Sequence, residues 1–268
     1  MSISEEQLNT YLRTTGVKVA APSVHHASLL LQQHVTKFAF TSANVLLERE
    51  LPLNINALMD RLVKQRVGGY CYEHNALLFE VFTAMGYSVE CRLARVVLPH
   101  GDPTRDTPLT HRLNVITIQG VRYLAEGGFS HMTAAQLLPF PPVNGPSSLN
   151  YRVRQLPNNE YLYELHKNRK WIPLYRFEDR SHPESDLLMG HFWSHRHPDA
   201  PFVNNLVASL VTPNRTLSLQ NSVFWCIEQK GTSEKRIHTA EELLVLLRDE
   251  FELNLSTADC EILFNLCQ

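Results

Sequence analysis

The feature that most constrains this chain is a change of hydrophobic period between residues 86 and 88. Before it, Ile55, Leu58, Met59, Leu62 and Val63 fall at i, i+3, i+4, i+7 and i+8, the spacing of one helix face. After it, Val89, Cys91 and Leu93 alternate with Glu90 and Arg92, the period-two pattern of a half-buried strand. Helices first, then strands, then a mixed end indicate a segregated fold rather than an alternating βαβ one.

The remaining elements respect that division. Leu8, Tyr11 and Leu12 form an apolar stripe behind Ser4 and Gln7 in capping-box spacing. Residues 23–37 come after Pro22 as a second helix, and another opens near Cys71 and stops at Gly86. These four helices make a small bundle. In the middle region, residues 111–118 and 121–125 flank Gln119-Gly120, a two-residue hairpin turn. Residues 139–148, rich in Pro, Gly and Ser, read as loop. Strands near 161–166 and 170–177 join at Lys167-Asn168-Arg169. The end is mixed. A short helix near 185–193 precedes strands near 205–211, 216–220, 222–228 and 234–238. Thr239 and Glu242 then open a helix, and a last one holds Ile262, Leu263 and Leu266. The fold class is α+β.

Composition excludes several functions. The 268 residues carry 25 basic and 27 acidic side chains, a net charge of −2, which argues against nucleic acid or a membrane surface as a charge-driven partner. No apolar run approaches the length of a membrane span. The first residues are acidic and amphipathic, unlike a signal peptide. Five cysteines, widely spaced and without C-x-x-C, fit free thiols in a reducing cytoplasm. His191, His195 and His197 share near-helical spacing, but Pro198 interrupts and no Cys or carboxylate completes a set. Cys71-x-x-His74 lacks a second pair, so no metal is expected.

Chemistry concentrates in Arg66–Asn75, where two glycines precede a cysteine at a helix start. Unpaired N–H groups and positive potential there favour a thiolate, and a nearby protonated imidazole lowers a cysteine pKa further. A buried packing cysteine is an equal reading of this segment alone. The hairpin shifts the balance. With Gln119-Gly120 as the turn, His111 faces Gly128, and Glu126 lies diagonal to His111 on the same face, about 7–8 Å away at the backbone. A carboxylate on one imidazole nitrogen leaves the other for a thiol.

At these residues the sequence resembles the arylamine N-acetyltransferase family. Residues 68–75 (GGYCYEHN) look like its cysteine motif, 110–115 (THRLNV) like its histidine strand and 123–130 (YLAEGGFS) like its carboxylate strand. Residues 38–44 and 197–206 match in order and spacing, so the resemblance covers most of the chain. It implies an N-terminal helical bundle (1–86), a central antiparallel β-barrel (87–184) and a C-terminal α/β lid (185–268), with a cysteine-protease-like core. It implies a ping-pong transfer from acetyl-CoA to an arylamine, arylhydrazine or N-hydroxyarylamine. Cys71 would be the nucleophile, His111 the base and Glu126 the orienting carboxylate. Phe40, Val96, Thr110, Phe129 and Phe202 would line the acceptor pocket. Glu126 stands where the family usually has Asp, Val67 where it has Arg, and Thr41-Ser42 where it has Glu-Asn; Gly127 and Ser130 alter the segment around Phe129. A related amide-forming acyltransferase with another donor or acceptor, and a non-catalytic relative, are the alternative readings.

Overall fold

The computed structural model describes residues 2–141 and 150–267. Helix α1 (Glu5–Thr15) starts with the expected box: Ser4 Oγ accepts from the Gln7 N–H at 3.2 Å, and Gln7 Oε1 accepts from the Ser4 N–H at 2.9 Å. Helix α2 (Val24–Lys37) leads into the short strand β1 (Phe40–Thr41) and helix α3 (Ala43–Leu46). The apolar stripe at 55–63 is not one regular helix. It begins as α4 (Ile55–Leu58) and widens into a π-helical segment, Met59–Lys64. An inserted residue changes the phase of the helical turn after it: Met59, Leu62 and Val63 stay buried while Arg61 reaches Glu73 at 2.7 Å. Helix α5 (Cys71–Ala84) stops before Gly86, which adopts φ +84°. Together α1, α2, the 55–64 segment and α5 enclose one core, including Tyr11, Leu30, Leu58 and Phe82.

Strands β2 (Ser88–Val96), β3 (Leu109–Ile118), β4 (Val121–Ala125), β5 (Leu138–Pro139), β6 (Tyr151–Gln155), β7 (Glu160–Lys167) and β8 (Lys170–Glu178) form one antiparallel sheet in the order β5-β4-β3-β2-β8-β7-β6. It curls into a nearly closed barrel in which β5 approaches β6. Its two tight hairpins turn on residue pairs with positive φ, Gln119-Gly120 (+52° and +79°) and Asn168-Arg169 (+53° and +63°), the geometry that matches strand twist. The first has the expected register, Asn114 opposite Ala125 and Ile118 opposite Val121. In β2 the simple alternation fails: Arg92 is only 3% exposed. Its guanidinium is held by Asp179 at 3.0 Å and Glu90 at 2.6 Å, so the charge enters the structure already paired. Pro139, expected in a loop, pairs in β5; residues 142–148 of that stretch lie outside the described residues. Strand β6 has no clear sequence signal.

Helices α6 (Glu184–Arg196) and α7 (Pro201–Asn204) lead to strands β9 (Val207–Val211), β10 (Arg215–Gln220), β11 (Val223–Glu228) and β12 (Gly231–Arg236), then α8 (Ala240–Asp249) and α9 (Thr257–Leu266). Thr239 caps α8 as expected, but the carboxylate of Glu242 accepts from the N–H of His238, one residue earlier than a standard box. The second sheet has the order β1-β9-β10-β11-β12. Its first strand comes from the helical third, with Phe40 opposite Ser209. This long-range pairing brings Phe40 beside the start of α5.

Candidate active site

Cys71 is the first residue of α5. The N–H of Tyr70 just before it is donated to Glu73 Oε2 at 3.1 Å, and Arg61 neutralises that carboxylate. The Tyr70 hydroxyl meets Nδ1 of His191 on α6 at 2.5 Å, and His191 Nε2 donates to the Leu51 carbonyl at 2.8 Å. The start of α5 is thus held by Arg61 through Glu73 and by His191 of α6.

The barrel supplies the other two groups. His111 on β3 donates from Nε2 to Glu126 Oε2 at 2.5 Å, and both are about 1% exposed. This settles the tautomer: a neutral ring with its proton on Nε2 has a bare Nδ1. The extra methylene of glutamate is absorbed by folding the carboxylate back. Oε1 accepts from the Gly128 N–H at 2.6 Å and from Asn75 Nδ2 at 2.9 Å, while the Tyr175 hydroxyl reaches Oε2 at 3.3 Å. Burial alone would push the Glu126 carboxyl up. The charge of His111 and hydrogen bonds from His111, Asn75 and Gly128 outweigh it and hold Glu126 below the ordinary carboxylate range.

Asn75 is a residue of this site whose contacts sequence reasoning misses. It sits one turn beyond Cys71, and i, i+4 spacing puts both on one helix face. Its Nδ2 also donates to the Arg112 carbonyl at 2.6 Å, and its Oδ1 accepts from the Gly127 N–H at 3.1 Å. One amide therefore ties the cysteine helix to both the histidine strand and the carboxylate strand. Gly128 is the matching close approach: a Cβ there would lie 2.9 Å from Cys71 Cα and 3.1 Å from its carbonyl oxygen.

The thiol itself departs from the expectation for a helix start. Cys71 is 3% exposed. Burial pushes its pKa up, the Glu126 charge adds to this, and backbone hydrogen bonds from Arg112 and Tyr72 only partly oppose it. A helix terminus therefore does not ionise this sulfur unaided.

Cys71 and His111 open onto a common cavity of about 710 Å³. Phe40, Val96, Thr110, Phe129 and Phe202, from five separate segments, all border it. Phe129 packs edge-on against His111 at 4.9 Å, and Phe202 against Phe40 at 5.7 Å. Ser130, in a left-handed conformation at φ +51°, donates to Ser209 at 3.1 Å and so ties this segment to the second sheet. The altered positions at 41, 42 and 67 are satisfied locally. Ser42 Oγ donates to the Asn205 carbonyl at 2.7 Å, and Asn44 Nδ2 donates to the Val67 carbonyl at 3.0 Å. Val67 packs into the core of the second sheet, while Arg66 pairs with Glu252 at 2.7 Å. Among the described residues, no group of three or more His, Cys, Asp or Glu is placed to hold a metal ion.

The fold and its buried cysteine-bearing cavity correspond to a known class. A family model for N-acetyltransferases matches residues 25–260. Arylamine N-acetyltransferase of Escherichia coli (strain K12) is 29% identical over 256 residues, covering 94% of this chain and 90% of that protein. The arylamine N-acetyltransferase / N-hydroxyarylamine O-acetyltransferase of Salmonella typhimurium is 28% identical over 250 residues, 89% of this chain and 85% of that protein. Among solved structures, the Salmonella typhimurium arylamine N-acetyltransferase superposes with a TM-score of 0.91 at 25% identity, covering 98% of this chain and 99% of that one. The Mycobacterium marinum enzyme in complex with CoA gives 0.90 at 27% identity, covering 97% and 100%. The chain belongs to the arylamine N-acetyltransferase family and is an acetyltransferase. No helix among the described residues is long and apolar enough to cross a membrane.

Proposed function

We propose that this enzyme moves an acetyl group from acetyl-CoA to the nitrogen of arylamines, arylhydrazines or N-hydroxyarylamines through an acetyl-Cys71 intermediate. The observation that carries the reading is the 2.5 Å bond between His111 Nε2 and Glu126, which leaves Nδ1 as the base in the cavity that Cys71 also borders. A buried thiolate is costly when isolated but far less so as an ion pair. The proton on Cys71 passes to His111 Nδ1, and Glu126 supports the imidazolium. The sulfur attacks the thioester carbonyl; the C–S bond to CoA breaks, and CoA leaves with the proton from His111. In the second half-reaction the amine lone pair attacks acetyl-Cys71. An aniline is largely unprotonated near neutral pH, so it needs no prior deprotonation. His111 takes the proton the nitrogen sheds, and the C–S bond to Cys71 breaks.

Phe40, Val96, Thr110, Phe129 and Phe202 would form the slot for a flat aromatic acceptor. We describe the chain as three units, 1–86, 87–184 and 185–268, with Phe40–Thr41 lent by the first to the sheet of the third. The free cysteines suit a cytoplasmic location, and the proposal needs no metal, nucleic acid or membrane. Mixing the protein with acetyl-CoA should add one acetyl group, mapped to Cys71 by mass spectrometry, and an arylamine should then remove it. Arylamine acetylation with Cys71 unmodified would sink the mechanism.

A further inference from the structure

A line of three fully buried polar side chains, ending on α5 three residues beyond Cys71, is left unused by the mechanism. The Tyr11 hydroxyl on α1 lies 3.0 Å from His34 Nδ1 on α2. His34 Nε2 lies 2.8 Å from His74 Nδ1 on α5, and His74 Nε2 lies 3.3 Å from the Ala39 carbonyl oxygen. Tyr11 and His34 are 0% exposed and His74 1%.

The chemistry of the ends fixes every proton between them. Nε2 of His74 meets the Ala39 carbonyl oxygen, which can only accept, so the ring must donate there. Burial holds His74 neutral, with a pKa lowered to about 4, and pushes His34 well below its ordinary value. A neutral His74 that donates from Nε2 accepts at Nδ1; His34 must then donate from Nε2 and accept at Nδ1, which leaves Tyr11 as donor. Hydrogen bonds run in one direction, from α1 to the backbone at residue 39, beside the Gly69 segment that bridges to Phe40.

Those two segments frame the active site. Phe40 and Gly69 form an isolated parallel bridge, and the Thr41 N–H donates to the Gly69 carbonyl at 2.7 Å. The His74 ring stacks on Phe40, with centroids 6.1 Å apart and planes at 12°. Phe40 borders the cavity, and Gly69 lies two residues before Cys71.

We infer that Tyr11, His34 and His74 act as a positioning relay, which holds the His74 ring in one tautomer beneath Phe40 and so sets the acceptor wall relative to Cys71. This rests on the arylamine reading for its consequence, though not for its geometry. The geometry is tested first. In the full-length protein labelled with ¹⁵N-histidine, and assigned through His34→Gln and His74→Gln, both rings should appear as neutral Nε2–H tautomers near neutral pH. An Nδ1–H tautomer at His74 overturns the relay.

The consequence is tested by separating the half-reactions. His74→Phe keeps a ring beside Phe40 but loses both hydrogen bonds. It should raise KM for an arylamine by roughly 10-fold while changing acetyl-Cys71 formation from acetyl-CoA by less than about 2-fold per folded molecule. His74→Gln, whose side-chain amide still donates to the Ala39 carbonyl, should restore most of that loss. Tyr11→Phe removes a single hydroxyl, should give a smaller rise in the same parameter, and serves if the His74 variants do not fold. Equal losses in both half-reactions, or a Gln variant no better than Phe, overturn the positioning role. A wild-type enzyme that forms acetyl-Cys71 but acetylates no arylamine defeats the acceptor reading instead, and the tautomer spectrum still decides the relay.

Discussion

Helix α5 contributes to two buried polar networks, one through Asn75 and one through His74, and their contrast is instructive. In the first network, beside the cavity, His111 meets a carboxylate, and Glu126 can stabilise a positive ring. In the second network, His74 meets another imidazole and the Ala39 carbonyl, and burial makes its protonation costly. Both imidazoles are about 1% exposed. Burial therefore does not decide whether a histidine can move a proton; the charge of its fixed partner does.

The largest test of this contrast is removal of the nucleophile. Cys71→Ala should abolish acetyl-enzyme formation, read by intact mass after mixing with acetyl-CoA. Glu126→Gln keeps the shape but removes the charge that distinguishes His111 from His74. It should lower kcat/KM for arylamine acetylation by about 10³–10⁴-fold with the thermal midpoint little changed. Comparable activity would end the orienting role. Gly128→Ala comes next: its Cβ would press on Cys71 backbone 2.9 Å away, and a shift of the nucleophile should cost about 10²-fold in the acetylation rate. Asn75→Ala leaves the triad chemistry intact but unties the strands. It should reduce activity by roughly 10-fold and destabilise the fold by about 1–3 kcal/mol in urea titration, because buried partners lose their donor.

The smallest effect concerns pH. Burial lowers the pKa of His74 to about 4 and that of His191 to about 3, from 6.5. Below about pH 6.5 the unfolded chain binds protons that the native chain refuses. Native stability should therefore fall by about 1.4 kcal/mol per pH unit for each ring, down to about pH 4 for His74, and level off once the native ring charges. Calorimetry across this window should show a shallower loss for His74→Gln than for the wild type. An unchanged slope would contradict a buried neutral His74.

Much of this arrangement is legible in the chain because it depends on local rules. The His111–Glu126 pair comes from a two-residue turn and period-two alternation. The turn and register hold as far as Asn114 opposite Ala125, short of the expected pairing of His111 with Gly128. Glu126, just past the end of β4, still reaches His111. The helix start at Cys71 comes from the glycine pair and the helical period behind it. Where local patterns mislead, a distant charge or contact is responsible. Arg92 breaks the alternation of β2 because Asp179, 87 residues later, neutralises it. The 55–63 stripe widens into a π segment where Arg61 reaches Glu73. A helix start favours a thiolate but says nothing of how deeply the sulfur is covered, and burial raises the pKa of Cys71.

The amino-acid order alone determined where most of the helices and strands lie, the register of the β3–β4 hairpin and hence the approach of His111 to Glu126. These depend on sterics and turn chemistry over a few residues. Only the tertiary structure decided that Phe40 joins a strand from residue 209, that Asn75 binds two strands at once, and that His34 and His74 touch. Such contacts join segments at least 37 residues apart; their geometry is set by the packing of whole elements, which no local periodicity encodes.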